Sequence, residues 1–369
     1  MKHFLFVFLF FLSLNFSISD SIAAEIVVVD KSPVRAVNER GISRKTVKCH
    51  IRLSGEIRPG DAKRLKEALS NFPKKPWTKI GLCLDSIGGS FSEGIRIAEM
   101  LLGKGLKFSS DDETGHLSIF TYIEKDKKCF SACAIIFMAG HYYELEESTG
   151  YLTERYLHVK GKLGFHSPYI TLDQSQYDKE TVENAYNLAA LAVRNLAKLG
   201  HGLKVGGFSP NFNFMPQALI IEMLSRGKNE FYKIDTVHKA KINFIELTGF
   251  RKPKNLNSCH YNNICGNVYY DHLIGHDKPA QNNSKNSGTC WKNWQSKRRG
   301  NQSLLFQSGH GGEALYFCVL RWSKQKIGHL EYYSELVESD KKKLDVYDFT
   351  LAPNSYYYPH HTKIEALAR

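Results

Sequence analysis

Residues Cys129 to His141 read Cys-Phe-Ser-Ala-Cys-Ala-Ile-Ile-Phe-Met-Ala-Gly-His. One serine, Ser131, sits between two cysteines and directly ahead of an apolar run, Ala132 to Ala139, that ends at Gly140. Such a run reads as a short buried helix with the serine at its first turn. The first N–H groups of a helix have no intrahelical partner, and the peptide dipoles favour negative charge there. A hydroxyl in that place lies beside donors that would hold a developing negative charge. Taken alone, a serine at a helix start is ordinarily a cap, so its chemistry depends on what else converges on it.

Two stretches answer it. Asp85-Ser86-Ile87-Gly88-Gly89-Ser90 is a glycine pair after a strand, and Gly164-Phe165-His166-Ser167-Pro168 ends a short apolar strand in a histidine. A nucleophile, a base and an oxyanion site are the three parts of acyl transfer. Singly, His166 reads as a strand-end histidine and Gly88-Gly89 as turn chemistry.

The surrounding chain alternates strands and helices. Strands are expected at Glu25 to Asp30, Val47 to Leu53, Thr78 to Leu84, Leu106 to Ser109 and Leu117 to Ile123. Helices are expected from Asp61 to Leu69 and from Phe91 to Leu102, the second headed by Ser90 and Glu93 as a capping box. This rhythm argues for an α/β fold with a mostly parallel sheet, whose ligands gather at the C-terminal strand ends. His141 to Lys162 reads as a polar and aromatic excursion. A long helix follows over Thr171 to Leu199, its apolar face carrying Val182, Tyr186, Ala189, Val193 and Leu196, and a shorter one starts near Pro216. Phe231 to Ile234 and Ile242 to Leu247 close the unit. From Arg251 onward the chain is rich in Asn, Ser, Gly, Tyr and Trp, which predicts a smaller irregular or β domain over 251–369.

Residues 1–24 read as a signal peptide. Lys2 and His3 precede an apolar segment, Phe4 to Leu14, and Ser21-Ile22-Ala23-Ala24 offers small residues for cleavage. The segment is short for a membrane span, so the expected location is exported, periplasmic or secreted, with an uncleaved N-terminal anchor as the alternative. The eight cysteines fit export, since disulfides persist in oxidising compartments. Four precede residue 250 and four follow it, so each half has enough to pair within itself. Cys259 and Cys265 with His260 lack zinc-finger or zinc-ribbon spacing. No cofactor and no metal are expected. The net charge of +13 draws such a chain toward anionic envelope surfaces or acidic partners. Without a nucleic-acid module in an exported chain, nucleic acid is not an expected partner.

On these motifs, residues from about 47 to 249 resemble the Clp protease proteolytic subunit and its exported relatives within the ClpP/crotonase superfamily. The resemblance rests on Leu84-Asp85-Ser86-Ile87-Gly88-Gly89-Ser90 with Gly94, on Cys129-Phe130-Ser131-Ala132-Cys133, on His166-Ser167-Pro168, and on the long helix after them. It implies wound ββα units, Ser131 as nucleophile, His166 as base, and an oxyanion hole from the N–H groups of Gly88 or Gly89 and of Ala132. It also implies self-association through the long helix. Three departures stand out. Ile87 replaces a proline, Ser131 and His166 are 35 positions apart, and the third triad place falls on Asn229, with Glu230 and Asp235 as substitutes. An asparagine orients a histidine without stabilising imidazolium by charge.

The sequence therefore reads as an exported, ATP-independent serine hydrolase. It would cleave peptides or unfolded segments through an acyl-enzyme on Ser131. The alternative is an inactive scaffold with the same fold that acts as a binding or structural protein. A crotonase-like acyl-CoA enzyme is disfavoured, because export removes it from CoA.

Overall fold

The structure, a computed structural model, describes residues 23–32, 34–35, 47–72, 78–104, 118–144, 150–169, 177–200 and 214–250. Further on it describes 253, 259–260, 263–264, 295–298, 303–310, 314–323, 326–336, 357–359 and 361–368. Most of the expected leader, the expected strand at Leu106 to Ser109, and Cys265 and Cys290 lie outside these residues. No helix among the described residues is long and apolar enough to cross a membrane.

In chain order, β1 (Glu25–Val28), β2 (Val34–Arg35) and β3 (Ile51–Ser54) lead into α1 (Asp61–Ser70) and β4 (Thr78–Asp85). Helix α2 (Phe91–Glu99) ends in a π turn, Met100–Lys104, before β5 (Ser118–Ile123), β6 (Lys128–Phe130) and α3 (Ala132–Phe137). Then come β7 (His141–Glu144), β8 (Gly150–Thr153), β9 (Arg155–His158), β10 (Lys162–Phe165), α4 (Lys179–Gly200) and α5 (Gln217–Leu224). The unit closes with β11 (Tyr232–Lys233), α6 (Val237–Ile242) and β12 (Glu246–Thr248).

The main sheet is mixed. Strands β3, β4, β5, β9 and β12 run parallel as consecutive neighbours, and antiparallel β1, β2 and the β7–β8 hairpin extend it. A separate three-stranded sheet holds β6 parallel to β10, and β10 antiparallel to β11. Strand β4 is buried from Ile80 to Leu84, a continuous apolar run suited to cover on both faces. Helix α3 is buried along its whole length, which is why its sequence has no polar face. Burying Ile135, Ile136 and Phe137 contributes about 1.5–3 kcal/mol each before entropy is subtracted.

The structure departs from the sequence expectations in several places. The His141 to Lys162 excursion consists largely of strands, and β9 lies inside the parallel sheet. Its signal is hidden because Arg155 is buried where an apolar residue is expected. The guanidinium donates to Phe214 O at 2.7 Å and Asn243 O at 3.2 Å, and burial pushes its pKa down to about 9. The long helix starts at Lys179, where Asp178 caps it by accepting from Thr181 N at 2.7 Å. Among the side chains described in it, Leu196 is the one apolar residue that is buried, while Val182, Tyr186, Leu188, Leu191 and Val193 are exposed. The closing segment Ile242 to Leu247 holds the end of α6, a turn, and the start of β12.

Half of the capping box forms. Ser90 accepts from Glu93 N, but Glu93 turns away. Its carboxylate accepts from Gly60 N at 3.0 Å and Ala62 N at 2.8 Å, tying α2 to the start of α1. Beyond residue 251, β13 (Gln295–Arg298), β14 (Ser303–His310), β15 (Ala314–Ser323) and β16 (Lys326–Leu336) form an antiparallel four-stranded sheet. Residues 361–368, which composition groups with that second unit, return to the first. Val237 N donates to Thr362 O, Ile364 N to Asp235 O, and Ile364 and Leu367 join its core.

The first half of the chain pairs its cysteines within itself, as Cys49–Cys83 and Cys129–Cys133. Cys259 is also disulfide-bonded, so no thiolate there is available to a metal.

Just past β1, Asp30 pairs with Lys48 and accepts from Ser32 N at 2.7 Å. The Lys48 bond, followed by that from Ser32, holds its carboxyl at about 2. The folded pKa is depressed, so this pairing stabilises above roughly pH 4 and is lost as pH falls through about 2. Asp30→Asn should flatten the dependence of stability on pH across that window, measured by urea unfolding. An unchanged acid limb would show that the pair contributes nothing.

Candidate active site

The three stretches meet at strand ends. The Gly88-Gly89 turn follows β4, Ser131 follows β6, and His166 follows β10. In the small sheet Phe130 is level with Gly164, and Ser131 N donates to Gly164 O at 3.1 Å. Ser131 and His166 thus leave neighbouring parallel strands at the same end. The turn is stitched alongside. Ser86 N donates to Lys128 O at 2.7 Å, and Phe130 N donates to Ser86 O at 3.1 Å.

Ser131 has φ 56° and ψ −125°, a conformation that L-residues rarely adopt. Such a backbone costs on the order of 1–3 kcal/mol and persists only where surroundings fix it. Here it turns the chain sharply from strand to helix and leaves the side chain partly exposed at the junction. Ser131 makes no side-chain cap bond, so the ordinary capping role is not the one it performs.

Gly88 lies against this serine. A Cβ on Gly88 would stand 2.6 Å from Ser131 Cβ, 2.9 Å from Phe130 O and 3.2 Å from Ser131 Oγ. Its φ of +106° also requires glycine. Gly94 does the same between helices. A Cβ there would stand 2.9 Å from Ala132 O and 3.0 Å from Ala132 Cβ, so α2 packs directly on the first turn of α3.

Of the three expected oxyanion donors, Gly88 N–H is occupied, donating to the buried Ser86 Oγ at 3.0 Å. The N–H groups of Gly89 and Ala132 donate to no group among the described residues. Gly89 is exposed, whereas Ala132 is buried at the start of α3. Ile87 replaces the expected turn proline and is 58% exposed.

His166 is 6% exposed. Its ring packs edge-on against Phe231 at 4.9 Å between centroids and lies 5.5 Å from Tyr169. Nδ1 is 2.7 Å from Ser167 O. A carbonyl only accepts, so Nδ1 carries the proton and Nε2 is the free base of the neutral ring. Ser167 is itself held, donating from N at 3.3 Å and from Oγ at 2.6 Å to Arg226 O. No hydrogen bond joins His166 to Ser131 among the described residues.

Asn229 is exposed and makes no hydrogen bond to His166. Glu230 is exposed as well, and Asp235 pairs with Lys239 and Lys363, which hold its carboxyl below the usual range despite partial burial. The orienting contact comes from the Ser167 carbonyl. No sequence signal marks a carbonyl, and only the adjacency of Ser167 to His166 hints at it. Phe231, Gly94 and Ser86 are further site residues that the sequence displays without roles.

One group of metal-capable side chains gathers among the described residues, Cys49, Cys83 and Glu124. The two sulfurs are joined to each other, and Glu124 accepts from Arg52 at 2.8 Å, so its ligand atoms are engaged.

No family model matches the chain, and no curated protein matches it. Among solved structures, a mutant form of ClpP1 from Listeria monocytogenes is similar at 15% identity, over 53% of this chain and 89% of that one, with a TM-score of 0.33.

Proposed function

We propose that the chain is a serine hydrolase of the Clp protease type, exported and ATP-independent, that cleaves peptides or unfolded segments. The observation that carries this reading is Ser131 itself. A serine held at positive φ, one residue past a strand end and beside a glycine that admits no side chain, is built to present its hydroxyl. His166 on the neighbouring strand end supplies the base, and Nε2 is its free nitrogen. Ser131 Oγ attacks an acyl carbon as His166 takes its proton. The Ala132 and Gly89 N–H groups face the resulting oxyanion. The acyl-enzyme forms as the proton passes to the leaving amine, and water then releases the acyl group. Contacts between serine and base are often loose before substrate binds.

The second reading is a binding scaffold without turnover. Two observations favour it: Ser86 Oγ occupies the Gly88 N–H, and among the described residues no carboxylate hydrogen-bonds to His166. In either case the exposed apolar side of α4 would serve contacts between copies, and the basic surface would serve an anionic envelope.

The deciding experiment is incubation of the purified, oxidised protein with a fluorophosphonate probe, followed by intact mass. A single adduct that disappears in Ser131→Ala is expected. A folded, oxidised protein with no Ser131-dependent adduct would leave the scaffold reading.

A further inference from the structure

We infer that the Cys129–Cys133 disulfide is a positioning device for Ser131, which makes the nucleophile's geometry depend on an oxidising compartment. This rests on the reading of Ser131 as the nucleophile, although the geometric part stands without it.

The bond joins the middle of β6 to the second residue of α3, with 5.2 Å between the Cα atoms, and Ser131 lies at the centre of the span. Both half-cystines are fully buried. Cys129 is fixed in the small sheet, level with Leu163 on β10 and bridged to Ser86. Cys133 is fixed in a helix buried along its whole length. The disulfide therefore ties the last strand residues to the first helical turn across the one residue between them with φ 56°. If Ser131 relaxed to an ordinary extended or helical backbone, the direction of the chain leaving β6 would change, and the tie resists that change.

Global stability is a poor explanation for a bond placed here. The stabilisation from restricting the unfolded chain grows with loop length, and a separation of four residues gives nearly the least of it. Cys49–Cys83, with a separation of 34, is better placed for that role. A short tie acts on the residues it encloses, and it encloses Ser131.

Reduction by a dithiol takes two electrons and two protons into the bond. It yields the Cys129 and Cys133 thiols together with the reductant's own disulfide. Disulfides persist outside the reducing cytosol, so a precursor before export would carry Ser131 in an untied turn.

The test compares wild type with C129V/C133A, which removes the bond while refilling buried volume. Two readouts are taken: amide hydrogen exchange at residues 130–132 and the second-order rate of fluorophosphonate labelling. Thermal unfolding accompanies both. Protection of the Ser131 N–H should fall at least about 10-fold, and labelling should slow by about 10²-fold, the loss expected of a small misplacement. C49A/C83A should change neither readout. If the variant does not fold, C129S/C133S, whose hydroxyls nearly match the sulfurs in size, gives the same comparison and leaves the disulfide of Cys259 intact. Unchanged Ser131 protection overturns the inference whatever the labelling does. Lost protection in a chain whose wild type never labels upholds the tie and removes the nucleophile reading instead.

Discussion

His166→Ala should slow acylation of Ser131 by about 10²–10⁴-fold, the range a positioned general base supplies. A serine hydroxyl is a weak nucleophile near neutral pH, and His166 directly follows β10, the parallel neighbour of β6 in the small sheet. The imidazole is pre-set for the task. Ser167 O fixes Nδ1–H, Phe231 and Tyr169 fix the ring plane, and the Arg226 carbonyl fixes Ser167. A carbonyl orients the ring but adds no full negative charge to stabilise imidazolium. Labelling of Ser131 should therefore be slower than in a hydrolase whose histidine rests on a carboxylate, and Asn229→Ala should leave the rate within about twofold, since a third triad member acts only by direct contact with the histidine. His166→Gln separates chemistry from packing, because it keeps a polar group of similar reach in the same space. The measurement is the second-order labelling rate of both variants with matched unfolding curves. If His166→Ala labels as fast as wild type, the base is not His166, and Ser131 owes its reactivity to the turn alone.

The parts legible in the sequence are those that local chemistry dictates. The buried helix after Ser131 is readable because a helix covered on all sides needs no polar residue, and Gly88-Gly89 because two positive φ angles admit little else. Strand β9 is not readable, because Arg155 occupies a core position by donating to carbonyls of Phe214 and Asn243, 59 and 88 residues away. Glu93 misleads for the same reason. Its spacing from Ser90 predicts a local cap, yet it satisfies Gly60 and Ala62 across the fold. The orienting group for His166 escapes a search for side chains because a backbone carbonyl fills that place. Local pattern marks the serine, the turn and the histidine, and long-range hydrogen bonds decide how each is held.

Gly88→Ala should lower labelling of Ser131 by about 10²-fold or more while costing about 1–3 kcal/mol of stability. Two causes act together. The residue must hold φ +106°, which strains any side chain, and its Cβ would meet Ser131 Cβ at 2.6 Å and Phe130 O at 2.9 Å. The nearest atom belongs to a side chain one bond from the backbone, so rotation alone does not clear it. Either the turn or Ser131 must shift by several tenths of an ångström, and both lie at the reacting centre. Gly227→Ala is the matched control. A Cβ there meets nothing within 4 Å, and neither labelling nor stability should move measurably. The contrast also separates the two functional readings. In a hydrolase the Gly88 substitution harms rate beyond what its stability loss explains, because the protein that remains folded carries a displaced nucleophile. In a binding scaffold the same change would register in unfolding curves alone. Equal labelling by wild type and Gly88→Ala, at equal folded fraction, would mean that the turn and Ser131 touch without sharing a reaction.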